Sequence, residues 1–291
     1  MKVTLCAFAD EAAGDLAGQL RALRENNIPL LELRNIDGKN VMDLTADEAR
    51  RYREAFDAAG VCVWSLGAPL AKLPETVKMD AYLEKVKQLC ETARILGTKN
   101  IRGFSFYPSL FGFHEDVILE KLRTLVALLA ENGLNYCHEN DSGLYGSTEK
   151  RVQRLLAAIP EMAFVYDPAN FLRSGQNPDV TLETLADRAF YFHFKDADRR
   201  RVVPAGFGDG QLDRLIVSLR RDTVISVEPH LLLFRGSKRF RQSELYGRFN
   251  LKTPRGRFDC AVAAAKRLLI QRGYSDCGDH FEKRGEDHET E

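Results

Sequence analysis

Four stretches of this 291-residue chain end an apolar run on a side chain able to bind a cation or move a proton. "AFVYDPANF" stops at Asp167, "TVISVEPH" at Glu228, "LNYCHEN" at His138 and Glu139, and "AFYFHFKD" carries His193 ahead of Lys195 and Asp196. An ionised carboxylate at the end of a buried segment is costly unless a cation or strong donors receive it. In two of these stretches the acid precedes proline, which keeps the preceding residue extended and offers no N–H, so the strand runs through the carboxylate and then breaks. Taken singly, each residue has an ordinary role: a strand-end acid caps a helix or joins an ion pair, and a histidine in an aromatic strand is a hydrogen-bonded core residue. Taken together, Glu139, Asp167, His193 and Glu228 recur at intervals near one strand-helix unit. They offer oxygen and nitrogen donors suited to one hard or borderline divalent ion: manganese, magnesium, cobalt or zinc.

Elements that could bring these residues together are readable in the hydrophobic pattern. Strand-length apolar runs begin at Val3, Pro29, Val61, Asn100, Leu134, Ala163, Phe190 and Thr223, most of them rich in β-branched or aromatic residues. Longer stretches of helical period lie between them. "DAYLEKVKQLCETARILG" sets Leu83, Val86, Leu89, Cys90, Ala93 and Leu96 on one face with Gly97 as a stop, and "RFDCAVAAAKRLLIQRG" groups Phe258, Ala261, Val262, Ala265, Leu268 and Leu269 before Gly273. Eight strands alternating with about eight helices predict an α/β fold, a (β/α)₈ TIM barrel, whose C-terminal strand ends converge on one mouth. A doubly wound sheet would want a glycine-rich turn after its first strand, where this chain reads "FADEAAGD". "GFGDG" at 206–210 follows the seventh strand instead, as a flexible loop or one whose amides approach a polar ligand.

Forty-two basic and forty-two acidic residues cancel, which argues against a general polyanion-binding surface and against nucleic acid as a partner. Six scattered cysteines form no C-x-x-C pair and read as free thiols. No stretch approaches the ~20 apolar residues of a membrane span, and "MKVTLCAFADE" is unlike a signal peptide, so a cytoplasmic protein without a membrane partner is expected. Residues 1–273 read as a single barrel domain and 274–291, with seven acids and two bases, as a disordered tail. Between them, 231–256 holds seven basic residues against one acid, and reads either as a solvated loop or as a lid attracting an anionic end of a substrate.

The run of "FADE", "ELR", "HEN", "DPANF", "FHFKD", "VPAGFGDG" and "EPH" resembles the sugar phosphate isomerase/epimerase group of the xylose isomerase-like TIM barrels over nearly the whole chain. The resemblance implies one divalent ion held by Glu139, Asp167, His193 and Glu228. Related ketose 3-epimerases carry a histidine three residues beyond the strand-six Asp, where this chain has Asn170, an amide that cannot act as acid or base near neutral pH. The chemistry that fits is proton transfer beside a carbonyl through an enediolate, with Glu139 and Glu228 as the catalytic pair. Isomerisation, epimerisation and a lyase or dehydratase acting on a keto-polyol share that first step. His138, Asn170, Lys195, His230, Glu32, Arg34 and Lys72 are the expected substrate-binding residues for a small carbohydrate, neutral or anionic; a homo-oligomer is compatible with this reading. Trp64 reads as core, or as an aromatic wall of a sugar site. An apurinic-site endonuclease would need more histidines than His114, His138, His193 and His230 supply to the barrel. A non-catalytic carbohydrate-binding barrel would not need both carboxylates of the pair.

Overall fold

The structure, a computed structural model, describes residues 1–198 and 201–283. Its centre is a closed barrel of parallel strands: β1 (Lys2–Ala7), β2 (Leu30–Leu33), β3 (Cys62–Leu70), β4 (Asn100–Gly103), β5 (Asn135–Glu139), β6 (Ala163–Tyr166), β7 (Tyr191–Phe194) and β8 (Thr223–Val227). Each pairs with the next, and β8 closes onto β1 with Val3 opposite Thr223 and Ala7 opposite Val227. Helices α1 (Leu16–Glu25), α2 (Ala46–Ala58), α3 (Met79–Leu96), α4 (Glu115–Glu131), α5 (Glu149–Ala158), α6 (Pro178–Leu185), α7 (Leu212–Ser218) and α8 (Pro254–Gln271) cover the outside. All eight strands anticipated from the apolar runs are present, within a few residues at their ends.

Local chemistry sets the helix limits. Thr45 and Glu48 exchange side-chain and backbone hydrogen bonds in a capping box at the start of α2, and Gly97 ends α3 in the left-handed conformation at φ 75. The last helix starts before the periodic run does, because Thr253 caps it by accepting from Gly256 N and Pro254 occupies its first turn, where a missing N–H costs nothing. The expected inner faces of α3 and α8 are buried, with Leu83 only partly so.

The barrel interior changes character along its axis. Cys6, Cys137, Val165, Tyr191 and Val224 form an apolar plug, packed against Leu30, Trp64 and Ala163. Trp64 stacks on Phe190 within this region, so its role is packing and not a sugar-site wall. Two residues further along β5, β6 and β7 the inward positions become Glu139, Asp167 and His193, and Glu228 lies four beyond Val224 of β8.

The C-terminal segment departs from the expected disordered tail. Ser275–Asp276 and Phe281–Glu282 form a hairpin that pairs antiparallel with the start of β1, Lys2 opposite Glu282 and Val3 opposite Phe281. β2 pairs with β1 only at Cys6 and Ala7, so the first residues of β1 present an open edge that the hairpin fills. Phe281 and Tyr274 are buried there. Composition missed this because two aromatic anchors suffice to dock a polar segment; 284–291, the rest of the expected tail, lie outside the described residues. Among the described residues no helix is long and apolar enough to cross a membrane.

Candidate metal centre

Side chains of a strand alternate between its faces, so on β5 Cys137 and Glu139 point into the barrel while Tyr136 and His138 point outward. The same alternation turns Tyr191, His193 and Lys195 inward from β7, Val165 and Asp167 from β6, and Ser226 and Glu228 from β8. Glu139, Asp167, His193 and Glu228 are all buried, and one donor atom from each lies within 4.8 Å of the others. His193 Nδ1 is 3.2 Å from Glu139 Oε1, 3.6 Å from Glu228 Oε2 and 4.0 Å from Asp167 Oδ2. Its other nitrogen, Nε2, is 3.2 Å from Glu32 Oε2, and Glu32 Oε1 accepts from Tyr191 OH at 2.8 Å.

The donor set fits a divalent ion. His193 Nδ1 is fully buried with no hydrogen-bond partner while the opposite nitrogen is fixed by a carboxylate, the orientation that metal-binding imidazoles take. Glu32, Glu139, Asp167 and Glu228 bring four carboxyl groups into the barrel beside the cations Arg102 and Lys195. Burial pushes the Asp167 carboxyl up to about 7, against the pull of Lys195. Burial also opposes ionisation of Glu139, but His193 and Arg102 outweigh it and hold that carboxyl well below the usual range. At Glu228 burial is likewise overcome, chiefly by Lys195 and His230. For His193 burial works against charge, and Glu139 and Glu32 raise its pKa well above the ordinary value.

Above this centre opens a pocket of about 400 Å³. Of the expected substrate-binding residues, Asn170, Lys195, His230, Arg34 and Lys72 line it; His138 and Glu32 do not. His138 faces the helix layer beside Phe164, and burial lowers its pKa to about 4. A residue adjacent to an inward Glu139 must face out, so His138, against expectation, is not placed to bind a substrate in the pocket. Glu32 lies below the pocket and holds His193; it does not neutralise Arg34, whose Nε donates to Asp10 Oδ2 at 2.8 Å. Lys195 Nζ is 2.6 Å from both Asp167 Oδ2 and Glu228 Oε2, so it does not pair with Asp196. Asn170 donates through Nδ2 to Glu139 Oε1 and to Asn140 O, both at 3.0 Å. Lys72 pairs with Asp141 at 2.6 Å. His230 adopts a left-handed backbone at φ 43, held by its N–H to Glu11 Oε2 at 2.7 Å.

Sequence reasoning missed Arg102, whose Nη1 donates to Glu139 Oε2 at 2.9 Å and whose Nη2 donates to Gly67 O at 2.7 Å. A charge in the middle of "NIRGFSF" was the available signal. Gly67 is required there, since a Cβ would come within 2.7 Å of Phe8 and 3.2 Å of Arg34. Asp10 and Glu11, the acids of "FADE", anchor Arg34 and His230, and Arg173 contributes a further cation to the lining.

Two loop expectations are corrected. The amides of Gly206, Gly208 and Gly210 all donate to the Asp196 carboxylate at 2.9 Å, so "GFGDG" folds around its own acid. In 231–256, Phe234, Phe240 and Leu245 are buried, Arg239 donates to the carbonyls of Gly208 and Gly206, and none of the segment's basic residues lines the pocket.

The family description "Xylose isomerase-like TIM barrel" matches residues 20–232. No curated sequence matches the chain closely enough to add a relative. Among solved structures, the probable 3-DHS dehydratase AsbF involved in petrobactin synthesis, from Bacillus anthracis, superposes with a TM-score of 0.69 at 18% identity, covering 92% of this chain and 98% of that one. The IOLI protein with a bound zinc atom gives 0.69 at 15% identity, over 92% and 98%. D-psicose 3-epimerase with D-tagatose, from Clostridium cellulolyticum H10, gives 0.67 at 11% identity, again over 92% and 98%. At these identities the likeness is one of fold.

Proposed function

The chain belongs to the xylose isomerase-like TIM barrel family, and from that premise we propose that it is a divalent-metal-dependent isomerase or epimerase moving a proton beside the carbonyl of a carbohydrate-type substrate. The observation that carries this reading is the convergence of Glu139, Asp167, His193 and Glu228 within 4.8 Å at the base of a polar pocket. These four residues would hold the ion, a reading supported by the zinc atom bound to the IOLI protein. When bound, such an ion polarises the substrate carbonyl and stabilises the negative charge that grows on its oxygen as the neighbouring proton leaves.

The chain's own residues divide the remaining work. Glu139 and Glu228 both line the pocket and both are held ionised by their neighbours, so either can accept the proton. Delivery of that proton to the neighbouring, former carbonyl carbon gives the isomer; return to the original carbon from the opposite face gives the epimer. Lys195, 2.6 Å from Glu228 Oε2, helps keep that carboxylate ionised and fixes its orientation. Asn170 fixes Glu139 through its amide and exchanges no proton. Arg102 clamps the other oxygen of Glu139 between the faces of Phe8 and Phe104. At the pocket wall Arg173, beside an Arg34 and a Lys72 already paired with Asp10 and Asp141, favours a substrate with a phosphate or carboxylate.

A second reading, dehydration of a keto-polyol, is favoured by the Lys195 ammonium in the lining, which can protonate a departing hydroxyl once the C–H proton has been taken. One experiment separates the two. Incubation of the manganese-loaded protein in deuterium oxide with a panel of ketoses, ketose phosphates and polyhydroxylated keto acids is expected to give a product one deuterium heavier beside the carbonyl. Loss of water with a new conjugated chromophore would establish the dehydratase instead, and no exchange into any of them would count against both.

A further inference from the structure

At the end of the barrel opposite the pocket, the hairpin of residues 275–282 carries a second set of metal donors. Ser275 lies opposite Glu282 and Asp276 opposite Phe281, and the turn "CGDH" is closed by Cys277 N donating to His280 O at 2.9 Å. Gly278 makes that turn possible at φ 95, where a side chain would be strained. Alternation again sorts the side chains. Phe281 packs inward with 1% of its surface exposed, and on the same side Asp276 approaches Lys266 of α8 at 3.8 Å. The outer face receives Cys277, His280 and Glu282, and one donor atom from each lies within 4.8 Å of the other two. Asp279 Oδ1 sits 2.6 Å from His280 Nδ1, the carboxylate–imidazole pairing that orients metal-binding histidines.

We propose that Cys277, His280 and Glu282 form a second metal site, separate from the barrel centre, that takes a borderline divalent cation of the zinc type. The donor chemistry makes the choice. A thiolate and an imidazole beside one carboxylate match zinc, whereas magnesium and manganese prefer oxygen donors and suit the three-carboxylate centre. Three protein ligands leave a fourth position for water. The Cys277 thiol releases its proton to solvent as the sulfur–metal bond forms, with no change in oxidation state. An ion here ties both strands of the hairpin together across its turn, and the hairpin in turn covers the open edge of Lys2 and Val3.

The test uses the full chain, metal-free and reduced, titrated with cobalt(II). A sulfur-to-cobalt charge-transfer absorption in the near ultraviolet is expected, saturating with one cobalt bound at the hairpin in addition to any at the barrel centre, displaced by zinc and abolished in Cys277→Ser. It persists in Cys62→Ser, which removes the other exposed thiol. Zinc bound at saturation falls by one equivalent per chain in Cys277→Ser while manganese binding at the barrel is unchanged. His280→Ala weakens cobalt binding at least about tenfold. The proposal is overturned if the folded wild-type chain shows no thiolate absorption at saturating cobalt, if the absorption survives Cys277→Ser, or if His280→Ala binds cobalt as tightly as the wild type.

Discussion

Glu32 never reaches the pocket, yet it sets how His193 presents its bare nitrogen, because its carboxylate holds the other side of the ring at 3.2 Å. Glu32→Gln keeps the shape and removes the charge, and should weaken manganese binding about 10–100-fold by calorimetric titration, the range typical of such supporting partners. Unchanged affinity would mean that the ring is held by packing against Phe8 and Tyr191 alone. Arg173 offers a different test, since it lines the pocket without a side-chain hydrogen bond or ion pair among the described residues. Arg173→Ala should raise KM for an anionic substrate about tenfold, a loss of about 1.4 kcal/mol, and leave a neutral sugar unaffected. Equal effects on both would remove the anion-binding role. The four proposed ligands were legible in the sequence because each ends a strand. Arg102 and Glu32 act in the interior through partners on other strands, a relation that one strand's pattern does not carry.

At the level of elements, eight strand positions followed from apolar runs, since burial on both faces of a parallel sheet leaves little freedom in composition. Segments outside the barrel followed less well. A hairpin held by Phe281 and Tyr274 looks disordered when its acids are counted, and a basic loop looks like a lid when its buried Phe234 and Phe240 are not placed. Phe281→Ala should cost about 3 kcal/mol, the lower end for a buried aromatic, and lower Tm by several degrees in a thermal melt. A melt superimposable on the wild type would return the segment to the status of a loose tail. The glycine loop at 206–210 makes a second case. Asp196→Ala strips its amides of their acceptor and should speed proteolytic cleavage between Ala205 and Gln211; a digestion pattern like the wild type would show that Arg239 holds the loop unaided.

Across the whole molecule, the net charge of zero conceals an interior that is strongly acidic where the strands end. Without an ion that interior retains protons, with His193 charged and the Asp167 carboxyl raised to about 7. Coordination requires the deprotonated forms, so binding must release protons and affinity must rise with pH through neutrality. Manganese added to a weakly buffered solution near pH 7 should release about one proton or more for each ion bound at the barrel centre. The measurement that tests the central claim most directly follows carbon-bound proton exchange and bound metal together in Glu139→Gln and Glu228→Gln, each loaded with manganese. Both variants keep a coordinating oxygen but lose the basic group. The account predicts that the ion remains largely bound while deuterium uptake from solvent into the substrate collapses at least about a hundredfold in each, the scale of general-base catalysis. Full uptake in both variants with the ion still bound would contradict it.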